Sequence, residues 1–166
     1  MKAIKRILVP TDFSELSLAS IDFAKSLAAT YGARICLMHV VDDVPVLAYH
    51  TIDLTTDYRM DDALKGAEHE LRRFAGDLLG DFTGTEIVAR RGSPYYEIVK
   101  LAQEGDFDLI VMATHGRTGL VHVVMGSVTE KVVQHSSIPV LTVKPAPMRK
   151  AIEHHENEIK DPSLID

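Results

Sequence analysis

Five short apolar runs in this chain never follow one another directly, and that alternation is what most constrains the fold. The runs are Ile4 to Val9, Ala33 to Val41, Thr85 to Arg90, Phe107 to Ala113 and Pro139 to Val143. Strands kept apart by helices or long connections cannot close hairpins. They pair in parallel through right-handed crossovers, with helices over both faces of the sheet. The first intervening segment, Ser14 to Tyr31, places Leu16, Ala19, Ser20, Phe23, Ala24 and Leu27 at helical spacing and stops at Gly32, a C-terminal cap. Residues 42 to 58 contain Pro45, several Asp and Thr and no sustained period, which predicts an irregular crossover. A helix is then expected from about Arg59 to Leu79, broken off at Gly80. Ser93-Pro94 opens another in the cap-then-proline arrangement, running to about Glu104, and Ser127 to His135 is the last.

In a doubly wound sheet a ligand crevice lies outside the carboxyl ends of the strands, where the winding reverses. Two strand ends carry polar, loop-forming residues suited to that place: Pro10-Thr11-Asp12 and Thr114-His115-Gly116. The second leads through Arg117 and Gly119 to Gly126-Ser127 at the start of a helix. A glycine-bearing connection into a helix N-terminus turns free N–H groups and the positive end of the helix dipole toward one spot, an arrangement suited to phosphate.

Composition removes several classes of function. One core suffices for 166 residues at 46% hydrophobic content. A net charge of -6 offers no basic surface for releasing counterions along a nucleic acid, so DNA and RNA are not expected partners. The apolar run Ile7 to Val9 is too short for a signal segment, and no run approaches the roughly 18 residues of a membrane span. Cys36, alone in an apolar stretch, reads as a buried thiol, which fits a reducing cytoplasm. His39 reads as a satisfied core histidine, and Asp61-Asp62 as the acidic start of a helix. His154-His155 read as part of a solvated tail, since neighbouring helical positions point apart. No P-loop motif and no G-x-G-x-x-G occurs, and no general base is evident for hydrolysis.

The segments ILVPTDFSELSLASIDFAKSLA, LMHVVDD, RGSPYYEIVKLA, DLIVMATHGRTGL and GSVTEKVVQHSSIPVLTVK, in this order, closely resemble the universal stress protein family over roughly residues 3 to 144. The nucleotide-binding branch of that family carries G-x2-G-x9-G-[ST], and here Ala113, Gly116 and Gly126-Ser127 keep the spacing with alanine in the first place. The resemblance implies a single doubly wound α/β domain over residues 1 to 145, sheet order 3-2-1-4-5, followed by a tail at 146 to 166. It implies a site for ATP, with Mg²⁺ accompanying the triphosphate. Pro10, Thr11 and Asp12 would lie near ribose and adenine, and the backbone of Val40 would read the adenine edge. The loop of Ala113, Thr114, His115, Gly116, Arg117 and Gly119 would wrap the phosphates, and Ser127, Val128 and Thr129 would cap them. Whether the Ala113 methyl crowds that ligand depends on its φ. The family also implies a homodimer through Pro139 to Val143, an apolar edge strand that the tail would otherwise have to cover.

The same residues support readings without a ligand. Ser127-Val128-Thr129-Glu130 is also an S-x-x-E capping box, Gly116 and Gly119 suit plain turns, and Asp12 suits an Asx turn. The chain is therefore expected to be a cytoplasmic ATP-binding stress or regulatory protein rather than a catalyst. The alternative is a nucleotide-free dimeric interaction protein of the same fold.

Overall fold

The computed structural model describes residues 3–42, 55–80, 85–114 and 125–144. Its elements run β1 (Arg6–Pro10), α1 (Glu15–Tyr31), β2 (Arg34–Asp42), α2 (Thr55–Leu79), β3 (Glu86–Gly92), α3 (Pro94–Glu104), β4 (Leu109–Ala113), α4 (Ser127–His135) and β5 (Val140–Val143). All pairings are parallel, in the order β3-β2-β1-β4-β5. The expected doubly wound sheet is thus present, with β1 and β4 adjacent at its centre.

Strand periodicity divides the core in two. Ile7 and Val9 of β1, Ile35 and Leu37 of β2, and Leu109 and Val111 of β4 pack with Ile21, Ala24 and Ala28 of α1 and Leu71 and Leu79 of α2. The intervening residues Leu8, Cys36, Met38, Ile110 and Met112 turn to the other face, against Ile98, Leu101 and Ala102 of α3 and Val132 of α4. Ile7, Leu8, Val9, Ile110 and Val111 are fully enclosed, as central strands covered on both faces must be.

At the amino ends of the strands one cluster ties three segments together. Arg6 pairs with Glu86 of β3 at 2.7 Å, lies 4.5 Å from the centre of the Phe107 ring and donates to the Gly105 carbonyl. The Asp108 carboxylate accepts the backbone N–H of Lys5 at 2.9 Å and of Arg6 at 3.2 Å. The cavity opens at the other pole, the carboxyl ends, where Arg90 of β3 pairs with Glu97 at 3.3 Å and Glu104 at 3.0 Å on α3.

Several boundaries differ from the sequence expectation. Helix α2 begins at Thr55, so residues 55 to 58 belong to it rather than to the irregular crossover. A helix needs its own hydrogen-bond ladder and not an apolar stripe, so a polar first turn escapes a test based on period. Asp61 and Asp62 consequently lie beyond the first turn, where the dipole is weak, and are exposed; they do not begin the helix. Strand β1 covers Arg6–Pro10 rather than Ile4 to Val9, because pairing with β2 runs through Pro10↔Met38. Strand β3 covers Glu86–Gly92, two residues longer at its end, since the ladder continues to Asp42↔Gly92. Strand β5 starts at Val140, and Pro139, which has no N–H, contributes its carbonyl to Ile110 at 2.9 Å. The remainder of the crossover, 43 to 54, and the tail, 146 to 166 with His154-His155, lie outside the described residues.

Gly32 ends α1 at φ 66°, its N–H bonded to the Ala28 carbonyl, with nothing within 4 Å of the place a Cβ would take. Gly66, inside α2, has the same open surroundings without the left-handed backbone. Gly66→Ala should therefore stabilise the protein by about 0.5–1 kcal/mol through helix propensity. Gly32→Ala should destabilise it by about 1 kcal/mol through backbone strain alone. Urea unfolding of the two variants checks both signs.

Candidate functional site

A cavity of about 600 Å³ lies at the carboxyl ends of β1, β2 and β4, where the winding of the sheet reverses. Nine residues expected at a site line it: Pro10, Thr11, Asp12, Val40, Ala113, Gly126, Ser127, Val128 and Thr129. Thr114 is buried beside the cavity rather than on its wall, bonded through its N–H to the Val143 carbonyl at 3.0 Å. The other four, His115, Gly116, Arg117 and Gly119, lie outside the described residues.

Residues that sequence reasoning did not assign complete the wall, among them Ser17, Met38, His39, Asp42, Ile98 and Met112. Ser17 comes from α1, Ile98 from α3 and His39 from the register of β2 that stacks on Phe13, while Met38, Asp42 and Met112 follow from the alternation of β2 and β4 toward the α3–α4 face. Met38 and Met112 also belong to that core layer. The period of two would have flagged both, had the site been sought in the strands as well as in the loops.

Three features define what this cavity can hold. The first is the start of α4. Gly126, with φ −70° and ψ 152°, is the N-cap, and no side-chain cap bonds the helix end among the described residues. Ser127 is the first helical residue and not the cap, which corrects the capping-box reading: the chain enters the helix one residue earlier, so the hydroxyl is not set to reach an N3 amide. The earliest bond of the helix ladder runs from Glu130 N–H to the Gly126 carbonyl at 2.9 Å. The N–H groups of Ser127, Val128 and Thr129 have no intrahelical acceptor, as in any first turn. Two bonds fix this end against the sheet, from Gly126 N–H to the Thr114 carbonyl at 2.7 Å and from the buried Thr129 Oγ1 to the Ala113 carbonyl at 2.9 Å.

The second is the open backbone of β2. Met38 receives Thr11 N–H on its carbonyl at 2.8 Å, so its peptide groups face β1. With a period of two those of Val40 face the same way, beyond Pro10, where β1 has already ended. A donor and an acceptor on one cavity wall result.

The third is the loop after β1. Asp12 forms the expected Asx turn, accepting Ser14 N–H at 3.1 Å and Ser14 Oγ–H at 2.6 Å on Oδ1, while Ser14 itself caps α1 by accepting Ser17 N–H at 3.3 Å. Between them Phe13 stands at φ 63°, a left-handed conformation that costs an L-residue roughly 1–2 kcal/mol. His39 is satisfied as expected, since its Nδ1 meets the Thr11 carbonyl at 2.8 Å, but it is also a wall residue of the cavity.

Ala113 closes β4 and is not among the residues with positive φ. Its backbone is one that any residue adopts. The alanine in the glycine position is therefore free of strain.

Comparison with known proteins agrees with this architecture. The model of the universal stress protein family matches residues 3–144, which include every strand and helix described. The chain belongs to the universal stress protein family. Among related universal stress proteins, MJ0531 of Methanocaldococcus jannaschii is 33% identical over 143 residues, covering 84% of this chain and 82% of the relative. MJ0577 of the same organism is 29% identical over 159 residues, covering 84% and 94%. The structure of universal stress protein UspA from Lactobacillus plantarum superposes with a TM-score of 0.73 at 27% identity, covering 86% of this chain and 99% of that one. A universal stress protein crystallised in complex with cAMP superposes with a TM-score of 0.60 at 26% identity, covering 86% and 98%.

Cys36 is no nucleophile in this universal stress protein. Burial, followed by the nearby Glu86 carboxylate, pushes its thiol up to about 12. The unfolded thiol ionises near about 8.5. Above that pH the unfolded chain holds fewer protons than the folded one, so stability falls as pH rises toward 12. The loss from this group is at most about 1.4 kcal/mol per pH unit. Urea unfolding between pH 7 and 10 should show an alkaline decline in the wild type that is shallower in Cys36→Ala.

Proposed function

We propose that this universal stress protein is a cytoplasmic ATP-binding regulatory module rather than a catalyst, with residues 1 to 145 forming the binding domain and 146 to 166 an appended tail. The observation that carries the reading is the α4 N-terminus, opening without a side-chain cap onto a cavity at the switch point of the sheet. Uncapped first-turn N–H groups and the helix dipole favour an anion there. No lysine or arginine is among the described residues lining the cavity, so backbone groups, with His115 and Arg117 of the following loop, would meet the phosphate charge.

The residues present suit an adenine nucleotide. Pro10, Met38, Ile98 and Met112 give the wall an apolar part for a base. Val40 offers main-chain groups on the same wall, the feature that would distinguish adenine from guanine, while Asp12 is a carboxylate within the ribose region. Ala113 would admit phosphate because its backbone is ordinary. The relative crystallised in complex with cAMP supports the ligand class. For Mg²⁺, Asp12 and Asp42 are the carboxylates on the wall, and no group of three or more His, Cys, Asp or Glu among the described residues is placed to hold a metal. That suits an ion brought in by phosphate oxygens and held with few protein ligands. When bound, it would offset triphosphate charge.

Millimolar Mg-ATP should raise the Tm more than Mg-GTP does, the gain reaching about 2.7 kcal/mol at a hundredfold excess over Kd. Gly126→Val should abolish the shift, because a branched side chain would stand where phosphate meets backbone. Ala113→Gly should leave ATP affinity within about twofold, and Ser127→Ala should leave stability within about 0.5 kcal/mol, since no cap is lost. Absence of any shift with ATP or ADP would favour the nucleotide-free interaction protein.

We also infer a homodimer through β5. It is the last strand of the sheet, paired with β4 on one side, with Val140, Leu141 and Thr142 only half-buried. Symmetric antiparallel contact between two such edges is self-complementary. The carbonyls of Pro139 and Val143 are taken up by β4, so the amides of Val140 and Thr142 face the free edge. Val140→Pro or Thr142→Pro should convert dimer to monomer by sedimentation, and a wild type that sediments as a monomer at high concentration would end the inference.

A further inference from the structure

Phe13 is bulky, carries a left-handed backbone and sits between two residues of the cavity wall, Asp12 and the hydroxyl-bearing turn of α1. Such a conformation persists only where its surroundings over-determine it. Here they do. Phe13 N–H donates to Thr11 Oγ1 at 3.0 Å. Ser17 Oγ–H has the Ser14 carbonyl as its acceptor at 2.7 Å, so the proton between Thr11 Oγ1 and Ser17 Oγ, 2.8 Å apart, belongs to Thr11. Every polar group of Thr11 is then engaged: N–H with Met38, carbonyl with His39, hydroxyl with Ser17 and Phe13. Thr11 and Ser17 are both buried, which strengthens the chain of bonds.

The ring that this backbone holds lies 4.3 Å from the His39 ring and 5.2 Å, edge-on, from Phe74 of α2. A carbonyl only accepts, so the contact with Thr11 requires His39 to carry a proton on Nδ1. Phe13 and the Thr11 carbonyl therefore fix both the plane and the tautomer of an imidazole that lines the cavity.

We propose that Phe13 is a positioning residue of the ligand site: wedged between His39 and Phe74, it sets the imidazole of His39 before any ligand arrives. Thr11, by the same argument, acts through its bonds to the loop and does not spend a side-chain group on the ligand. The inference rests on the nucleotide reading only for its affinity consequence.

Three variants separate a positioning role from a merely structural one. Phe13→Asn tolerates the left-handed backbone but lacks the ring. Phe13→Tyr keeps the ring, and Phe74→Leu removes the edge contact from behind it. Calorimetric titration with Mg-ATP should show at least a tenfold loss of affinity in Phe13→Asn, a smaller loss in Phe74→Leu, and a value within twofold of wild type in Phe13→Tyr. In the ligand-free protein, ¹⁵N and ¹H NMR of His39 should show a proton held on Nδ1 and an upfield ring-current shift. The shift should vanish, and the tautomers mix, in Phe13→Asn but not in Phe13→Tyr. Wild-type-like His39 signals in Phe13→Asn would overturn the proposal whether or not ATP binds, as would unchanged ATP affinity in that variant. A wild type that ignores ATP refutes the nucleotide reading instead, and the His39 signals then decide the positioning role alone.

Discussion

Everything in this molecule follows from the fact that parallel strands cannot be joined by tight turns. Each strand must be followed by a crossover long enough to return the chain to the same end of the sheet. With β1 central, the crossovers leading toward β2 and β3 and those leading toward β4 and β5 wind away from each other. The connections leaving β1 and β4 consequently part company at the carboxyl ends, and no helix can cover the gap between them. The cavity is a product of topology before it is a product of side chains.

Two physical devices then give that gap a chemical character. Helix α4 is capped by Gly126, a residue with no side chain to satisfy the first-turn donors, and is held in place by Thr129 and by the Thr114 carbonyl. On the opposite wall β2 outlasts β1, leaving the peptide groups of Val40 without a neighbouring strand on that side. One wall thus offers positive potential and the other a directional donor and acceptor. Binding energy of this kind comes from the main chain, so many side-chain sets are compatible with it.

The parallel sheet was legible because its apolar strands are kept apart by helices or long connections, and its order was legible through the family resemblance. The boundaries were less so. A proline at the end of β1 reads as a stop, yet Pro10 keeps its place in the ladder opposite Met38. The polar first turn of α2 carries no stripe to detect. For the site, nine wall residues followed from strand ends and from the family's motif. His39 was legible only as a satisfied core residue: a partner for Nδ1 says nothing about what the other edge of the ring faces. Met38, Ile98 and Met112 read as ordinary core because at the rim of a parallel sheet the same apolar side chain can be core on one flank and wall on the other. The left-handed backbone of Phe13 had no signal at all, since no glycine or asparagine marks it.

The Arg6 cluster gives the sheet two unlike poles. At the amino ends an ion pair, a cation over an aromatic ring and a carboxylate on two amides hold β1, β3 and the entry to β4 as one unit. At the carboxyl ends of β1 and β4 hydrogen bonds take over, tying the Thr11 loop to Ser17, Met38 and His39 and the start of α4 to Thr114 and Ala113. A ligand seated between these two bonded ends would meet groups already held in place. Its arrival would add contacts to a frame fixed at both poles, by charged groups at one and by hydrogen bonds around the cavity at the other, without repacking the core.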